Sequence, residues 1–346
     1  MAEGPICIIG MHRSGTSMVA SLLQRCGLAL GSDGNLVGAS DSNPKGHFEH
    51  PGFLDLNDSL LKHLGGSWEN PPDLRAGWEQ DASLKVLVHD AELLLRSFSG
   101  YSHWGWKDPR TTILLPFWRK LIPNLRFVIC LRNPLAVARS LAKRDGLSIA
   151  AGAHLWSLYT KAAIRETNGY PSTLAFYENF FRRPLGEVKI AAEFCGLETP
   201  IDPDPVHKTI SKELRHESDG LLELLNETAI TFEHKLLYLG LLAIWYEESA
   251  SQLDNKSRSG RVAAGAKKLL QLLLEFRREE RVARLEALLA SKEQLLSTSR
   301  ATIAEREKQI ATLEQHNARL QVFADAVRQT LAYRFYRTFL RPISGK

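Results

Sequence analysis

The 346-residue chain has few cysteines, and none of them are paired at the spacing of metal ligands. Cys7, Cys26, Cys130 and Cys195 are scattered along the chain and form no CxxC pair. Two of them, Cys7 and Cys130, fall in predicted buried strands. We therefore expect reduced core thiols, with neither a disulfide framework nor a metal site.

The chain also lacks a long apolar run. The longest, residues 236–246, is too short to span a bilayer and is interrupted by Gly240. A basic start, an apolar core and a small-residue cleavage site do not occur together near the N-terminus, because the first apolar run is only as long as a strand. These absences predict a cytoplasmic protein, with peripheral attachment to a membrane as the alternative.

Positive charge is not in excess over most of the chain. Residues 260–346 contain 17 Lys and Arg against 9 Asp and Glu, whereas the rest of the chain contains 27 against 30. The formal net charge of +5 therefore originates in the C-terminal part. The N-terminal part does not have the charge balance of a nucleic-acid-binding enzyme, and no nucleic-acid partner is expected.

The sequence does contain a phosphate-binding loop. Residues 10–17, GMHRSGTS, follow the apolar run 5–9 and precede a helical pattern at 18–26. Two glycines let successive N–H groups point inward, and the helix presents its positive end to an anion. The spacing matches the nucleotide-binding loop G-x-x-x-x-G-K-[ST], but Thr16 stands in place of its lysine, and Arg13 can supply the cation. This substitution argues against ordinary ATP or GTP hydrolysis. A tight strand-to-helix turn is the alternative interpretation.

Residues 1 to about 200 alternate strand and helix signals, which predicts an α/β domain with a P-loop-type parallel sheet flanked by helices. Strands are predicted at 6–9, 126–131 and 173–177, and helices at 18–26 and 84–98. Asn133 and Pro134 are the expected N-cap and first residue of a further helix. Residues 31–57, rich in Gly, Asn, Asp and Pro, are predicted to form a long loop of the kind that serves as a lid or binding loop.

The C-terminal part is predicted to be all helical and to end in a coiled coil. One series repeats every seven residues: Val282, Leu289, Leu296, Ile303, Ile310, Asn317, Ala324 and Leu331. A second series, offset by three, is interrupted by Lys292, Ser299 and Arg306. The pattern predicts a parallel homodimer through residues 282–331, with Asn317 fixing its register. A long helix that packs on its own domain is the alternative.

The last residues, 331–346, are basic and aromatic at helical spacing. Aromatic rings with interleaved arginines suit an anionic membrane surface or a partner protein, and a frayed amphipathic terminus is the alternative. The predicted organisation is an α/β domain over residues 1–260, a coiled coil over 261–330 and a basic aromatic tail over 331–346.

Three further segments add candidate groups for binding anions. Arg132 precedes a predicted helix, Ser140 lies two turns inside it, and Arg144 follows one turn later on the same face, so that they can grip a second phosphate. Lys107 begins a K-D-P-R turn at the carboxyl end of a strand, where open α/β sheets bind ligands. Tyr177 begins a Tyr-Glu-Asn-Phe segment after a late strand.

Together with the first loop, these segments resemble the P-loop sulfotransferases that use 3′-phosphoadenosine 5′-phosphosulfate (PAPS). The loop R-S-G-T-[ST] and the K-D-P turn are similar to those of the tyrosylprotein branch and of many bacterial sulfotransferases, over residues 5 to about 200. The resemblance implies that the 5′-phosphosulfate is held by Arg13, Ser14, Gly15, Thr16 and Ser17. It implies that Arg132 and Ser140 hold the 3′-phosphate, with Arg144 as the additional basic residue of that branch. Tyr177 corresponds to a segment near the adenine, or is a core tyrosine at the end of a strand.

The resemblance also implies a mechanism that needs no metal, because PAPS already carries an activated sulfuryl group. An acceptor hydroxyl attacks sulfur in line, leaving 3′,5′-adenosine bisphosphate (PAP), and Lys107 and Arg13 stabilise the negative charge. Glu49 is the first candidate for the general base, because the tyrosylprotein branch places its glutamate in the loop after the phosphate helix. His47 is the rival, since other members use histidine. Asp108 is expected to orient Lys107 or to cap a turn.

The acceptor is a hydroxyl compound, with carbohydrate as the first expectation and a small molecule, a lipid or a peptidyl tyrosine as alternatives. The tryptophans that could offer a stacking face to a sugar, or else belong to the core, are Trp68, Trp78, Trp104 and Trp106.

The C-terminal Arg-Lys-Gly segment with which cytosolic sulfotransferases close over the 3′-phosphate is missing, and Lys212 or Arg215 could replace it. A nucleotide kinase and an inactive scaffold acting through the coiled coil are the alternative functions.

Overall fold

The computed structural model describes residues 4–31, 36–38, 46–197, 202–210, 220–250 and 255–329, with side chains left undescribed at 246–250, 255–288 and 327–329. The chain divides into two units, Met1–Leu274 and Glu275–Lys346. None of the described helices is both long enough and apolar enough to span a membrane.

The first unit is built on a parallel sheet of four strands. The strands are β1 (Ile6–Gly10), β2 (Gly105–Lys107), β3 (Arg126–Leu131) and β4 (Ser172–Phe176), in the order β2-β1-β3-β4. The strands are almost wholly buried, as expected for a parallel sheet covered on both faces. The register sets Ile8 beside Lys107 and Gly10 beside Cys130, so the carboxyl ends of β1, β2 and β3 meet at one edge. The predicted parallel α/β architecture is confirmed.

Helices connect and flank the strands. They are α1 (Thr16–Arg25), α2 (Pro51–His63), α3 (Lys85–Arg96), α4 (Thr111–Leu121), α5 (Pro134–Asp145), α6 (Ile149–Glu166), α7 (Tyr177–Arg182), α8 (Pro184–Phe194), α9 (Pro203–Thr209), α10 (Leu221–Asn226), α11 (Phe232–Ala250) and α12 (Asn255–Gln329). Helix α5 begins as expected, because Asn133 caps it by accepting a hydrogen bond from the Leu135 N–H at 2.9 Å, and Pro134 is its first residue.

The long loop predicted at residues 31–57 is wrong in its last part. Helix α2 begins at Pro51, because the His50 ring Nδ1 accepts a hydrogen bond from the Gly52 N–H at 3.2 Å and Pro51 favours the first helical turn. Phe53 and Leu56, three residues apart, then face the core. Residues 32–35 and 39–45 of the predicted loop lie outside the described residues.

Apolar side chains form one cluster on each face of the sheet. The larger cluster contains Trp106, which is fully buried, stacks on Phe53 with ring centroids 4.6 Å apart, and donates its indole N–H to Thr111 Oγ1 at 3.1 Å. Trp106 is therefore a core residue and offers no face to a sugar. Trp104 lies at the edge of the same cluster, 4.8 Å from the ring of Phe98.

The second unit contains the C-terminal part of α12. Its described side chains, residues 289–326, are exposed almost throughout. Leu289, Leu296, Ile303 and Ile310 are each more than half exposed, although they are apolar and recur every seven residues. The coiled coil stays a prediction. The tail at 331–346 lies outside the described residues.

Candidate active site

The phosphate loop connects β1 to α1 through two left-handed backbone conformations. Arg13 has φ +68° and Gly15 has φ +88°. A left-handed conformation costs a non-glycine residue free energy, which suggests that the loop is held by its surroundings. Gly15 is the N-cap of α1 and has no side chain with which to cap it, so the helix terminus is left for a ligand. The Ser14 hydroxyl is buried without a hydrogen-bond partner among the described residues.

The segment after β3 lies against this loop. Arg13 Nε donates a hydrogen bond to Ser140 Oγ at 2.8 Å, and Arg132 Nη1 donates to the Arg13 carbonyl at 3.1 Å. The loop and the start of α5 are joined because β1 and β3 are neighbours and end at the same edge. The structure thus brings Arg13 together with Arg132 and Ser140, each of which lies more than a hundred residues from Arg13 in the sequence.

Tyr177, the first residue of α7, packs against the phosphate loop. The Arg132 guanidinium lies 4.4 Å above the Tyr177 ring. A Cβ added at Gly15 would lie 2.5 Å from a carbon of the same ring, so only glycine fits at this contact. Tyr177 is therefore in contact with both segments that are predicted to bind anions.

Positive charge is concentrated at this edge of the sheet. Burial lowers the pKa of Arg13, and the neighbouring charges of Arg144 and Arg132 lower it further. Such mutual repulsion is relieved by an anion bound among the arginines. Arg144 Nε also donates to the Asp145 carboxylate at 2.8 Å, and its guanidinium lies 5.1 Å from the centre of the Trp68 ring.

Lys107, the last residue of β2, is buried and forms an ion pair with Glu49. Its ammonium Nζ donates a hydrogen bond to Glu49 Oε1. Burial lowers the pKa of Lys107, and Glu49 opposes that shift by favouring the charged form. The second carboxylate oxygen of Glu49 is buried and has no hydrogen-bond partner in the part of the chain that the structure describes.

Glu49 and His47 both lie on the segment before α2, which is attached to α1. Ser17 Oγ donates a hydrogen bond to the His47 carbonyl at 3.1 Å, and the Val37 N–H donates to the Glu49 carbonyl at 2.8 Å. Thr16 is buried at the start of α1. His47 is half-buried, and burial lowers the pKa of its imidazole, with Glu49 acting in the opposite direction.

Asp108 caps the turn after β2, in agreement with the second of its two expected roles. Its carboxylate accepts hydrogen bonds from the Arg110 N–H and from Arg110 Nη1, both at 3.0 Å, and from Asn57 Nδ2 at 2.8 Å. The carboxylate is completely buried, and burial raises its pKa. These contacts fix the direction in which the chain leaves Lys107.

Two residues at the site have no role in the sequence-based hypothesis. His12 precedes Arg13 and is buried, and its Nε2 has no hydrogen-bond partner within the described ranges. Burial lowers the pKa of His12 far below its ordinary value, and the charges of Arg110 and other cations add to this. Trp68 covers His12, with ring centroids 4.5 Å apart. His12 could have been named from the sequence because it lies inside the phosphate loop, whereas nothing in the sequence connects Trp68 with the loop.

Lys212 and Arg215, the candidates to replace the missing Arg-Lys-Gly segment, lie outside the described residues.

A family model described as the sulfotransferase family matches residues 5–201, more than half of the chain. The structure is similar to a sulfotransferase from Mycobacterium avium, with 13% identity, a TM-score of 0.37 and coverage of 64% of this chain and 70% of that one. It is similar to the sulfotransferase domain from the curacin biosynthetic pathway, with 15% identity, a TM-score of 0.38 and coverage of 76% and 96%. It is also similar to retinol dehydratase in complex with retinol and PAP, with 12% identity, a TM-score of 0.32 and coverage of 67% and 69%. No curated protein matches the sequence.

Proposed function

The chain belongs to the sulfotransferase family, and on that premise we propose that it transfers the sulfuryl group of PAPS to a hydroxyl acceptor, with carbohydrate as the acceptor class. The observation that carries the choice of donor is the 2.8 Å hydrogen bond from Arg13 Nε to Ser140 Oγ. It joins two anion-binding segments, and a donor with a phosphosulfate and a separate 3′-phosphate needs two such segments.

The residues at the site fit this donor. The Ser14 hydroxyl is buried and has no hydrogen-bond partner in the part of the chain that the structure describes, and Gly15 leaves the N-terminus of α1 without a side-chain cap. The charges of Arg132 and Arg144 both act on Arg13. In the proposal, the 5′-phosphosulfate is held by Arg13, Ser14, Gly15, Thr16 and Ser17, and the 3′-phosphate is held by Arg132, Ser140 and Arg144. Tyr177 would contact the adenine. When bound, PAPS supplies a sulfuryl group that is already activated by its bond to phosphate.

In the proposed mechanism the chain positions the acceptor and moves one proton. Glu49 receives the proton of the attacking hydroxyl at a carboxylate oxygen, and in-line attack is the geometry that we propose. Lys107 and Arg13 hold positive charge next to the oxygens on which negative charge increases. Glu49 is preferred to His47 because its carboxylate is buried in direct contact with Lys107, whereas His47 is half-buried.

The proposal includes a parallel homodimer formed through residues 282–331. Its support is the exposed apolar series on α12, since seven-residue spacing places these side chains along one seam. The tail 331–346 is proposed to contact an anionic membrane surface, which would make the protein peripheral.

The experiment that tests the function is transfer of ³⁵S from labelled PAPS to an acceptor panel of methyl glycosides and p-nitrophenol, without added metal. Lys107→Ala is expected to abolish most of the transfer and to leave PAP binding largely intact, because the backbone loop remains. Lys120→Ala, a change at an exposed helix position, is the matched control. PAP binding without transfer to any acceptor would favour the inactive scaffold, and loss of folding in Lys107→Ala would make Lys107 a structural residue.

A further inference from the structure

One acidic side chain beside the proposed donor site has no role in the proposed mechanism. Glu178 is the second residue of α7. The residue is half-buried, and its carboxylate oxygen Oε2 is buried. A carboxylate is not expected to bind a phosphate or a sulfuryl group itself, because like charges repel. Its position beside an anion site therefore needs another explanation.

The register of the sheet brings Glu178 to the segment that begins with Arg132. Leu131 ends β3, Phe176 ends β4, and the two residues are paired. The residues that follow them therefore leave the sheet side by side. Glu178 Oε1 accepts a hydrogen bond from the Asn133 N–H at 2.8 Å. This bond fixes the backbone directly after Arg132.

The Arg132 side chain is also held by the same segment. Its guanidinium lies 4.4 Å above the Tyr177 ring, and its Nη1 donates a hydrogen bond to the Arg13 carbonyl at 3.1 Å. Burial raises the pKa of Glu178, and the charge of Arg132 acts in the opposite direction by favouring the carboxylate. An arginine loses rotamer freedom when it binds an anion, and contacts that fix it beforehand lower this cost.

The Glu178 carboxylate is in turn anchored to a helix outside the donor site. A hydrogen bond with the Tyr238 side chain of α11 also favours its charged form, which lowers the pKa of Glu178 against the effect of burial. Tyr238 is buried in the larger apolar cluster and lies against Phe176, with ring centroids 6.0 Å apart. The carboxylate therefore has a fixed position from which it can hold Arg132.

We propose that Glu178 is the positioning residue of Arg132 and thereby sets how strongly the site prefers a nucleotide that carries a 3′-phosphate. The inference rests on the proposed function, in which Arg132 holds the 3′-phosphate. Glu178 itself contacts neither donor nor acceptor. Its carboxylate fixes the Asn133 backbone and attracts the Arg132 guanidinium, and the arginine binds the phosphate. Loss of the carboxylate charge should therefore weaken the contribution of the 3′-phosphate and leave the sulfuryl end of the donor unaffected.

The test compares calorimetric titrations of the full chain with PAP and with adenosine 5′-monophosphate (AMP), which lacks the 3′-phosphate. The dissociation constant for AMP divided by that for PAP measures the contribution of the 3′-phosphate. Glu178→Gln keeps the size of the side chain and an oxygen that can accept the Asn133 N–H, but it removes the charge. This variant is expected to lower the ratio about tenfold.

Glu187→Gln is the matched control, because it makes the same change at a buried carboxylate on α8 that is paired with Arg183 at 2.8 Å. The control should leave the ratio unchanged. An unchanged ratio in Glu178→Gln would show that its side chain only caps α5, and an increased ratio would show that its charge weakens the anion site. Either result overturns the inference.

Kinetics of transfer from PAPS separate positioning from damage to the reacting groups. Glu178→Gln should raise KM for PAPS about tenfold and change kcat less than about twofold, because the residues at the sulfuryl end are untouched. A loss confined to kcat overturns the inference.

A double-mutant cycle with Arg132→Gln tests whether Glu178 acts through the arginine. In the Arg132→Gln background, Glu178→Gln should not lower the ratio further, and additive losses overturn the inference. Tyr238→Phe tests the same arrangement if Glu178→Gln does not fold. It removes one contact of the carboxylate and should lower the ratio about threefold. An unchanged ratio in a folded Tyr238→Phe variant also overturns the inference.

The wild-type titrations distinguish this inference from the proposed function. Equal affinity of the wild type for PAP and AMP would contradict the two-phosphate site, and the inference would fall with it. A wild-type preference for PAP that persists in Glu178→Gln would overturn the inference alone. A preference that depends on Glu178, in a chain that transfers no sulfuryl group, would support the inference and count against the proposed transfer.

Discussion

Lys107 Nζ donates a hydrogen bond to Glu49 Oε1, and both side chains are buried. The pair joins the end of β2 to the segment before α2. Each charge neutralises the other, which is how two ionised groups can be buried together. In the proposed mechanism, a bound anion would compete with Glu49 for the Lys107 ammonium, and Glu49 would act as the base for the acceptor hydroxyl.

Glu49→Gln is expected to lower kcat about 10²- to 10⁴-fold, the usual contribution of a general base. PAP affinity should be retained or increased, because the charge of Lys107 is no longer neutralised by a carboxylate. Transfer of ³⁵S and calorimetry with PAP measure the two effects. His47→Asn is the comparison, and a larger loss of kcat in that variant would identify histidine as the base.

Ser140→Ala is expected to weaken PAP binding about tenfold, because the hydroxyl that accepts a hydrogen bond from Arg13 is lost. Calorimetric titration with PAP measures the change, and thermal unfolding confirms the fold. Ser83→Ala is the control, because Ser83 is exposed and is not one of the proposed anion-binding residues, so PAP affinity should not change. Equal affinity in wild type and Ser140→Ala would remove Ser140 from the anion site.

His12 predicts a specific dependence of stability on pH. Because burial and nearby cations hold its folded pKa well below the ordinary value of 6.5, the unfolded chain binds the proton first as pH falls. The contribution of His12 to stability is fully present above about pH 6.5 and is lost as pH falls below it, by at most about 1.4 kcal/mol per pH unit.

His12→Gln should therefore show a shallower loss of stability below pH 6.5 than the wild type. The free energy of unfolding, from urea titrations at a series of pH values, measures the difference. Identical slopes for the two proteins would mean that His12 is protonated in the fold.

If the exposed apolar series on α12 forms the proposed coiled coil, a charged residue within the series should break the proposed dimer. Leu296→Asp combined with Ile303→Asp should convert the full chain to a monomer, because a buried carboxylate at two levels of a coiled coil is unfavourable. Sedimentation equilibrium measures the mass. Ser297→Asp, one residue off the seam, should leave the dimer intact. A wild-type monomer at all concentrations would disprove the coiled coil.

The sequence predicted the sheet, because buried parallel strands and the glycine-bounded loop leave local patterns at Ile6–Gly10 and Arg126–Leu131. It missed the start of α2, since the capping group is a histidine ring, His50, rather than a usual N-cap residue.

The contacts at the site could not be predicted from local sequence patterns, because they join residues that are distant in the sequence and are brought together by the fold. Glu49 and Lys107 could be named from the resemblance, but their ion pair joins residues 58 positions apart. The same holds for Trp68, whose approach to His12 is fixed by the turn after α2. The sequence does not distinguish Trp106 from Trp68, whereas the structure shows that Trp106 is fully buried and Trp68 is half-buried.

The measurement that tests the central claim most directly is calorimetric titration of the full chain with PAP and, separately, with ATP, both without magnesium. Because Arg13, Arg132 and Ser140 converge at one edge of the sheet, PAP should bind tightly and ATP weakly. Absence of PAP binding would contradict the two-phosphate site and with it the proposed sulfuryl transfer. Magnesium-dependent ATP binding in its place would favour the nucleotide kinase.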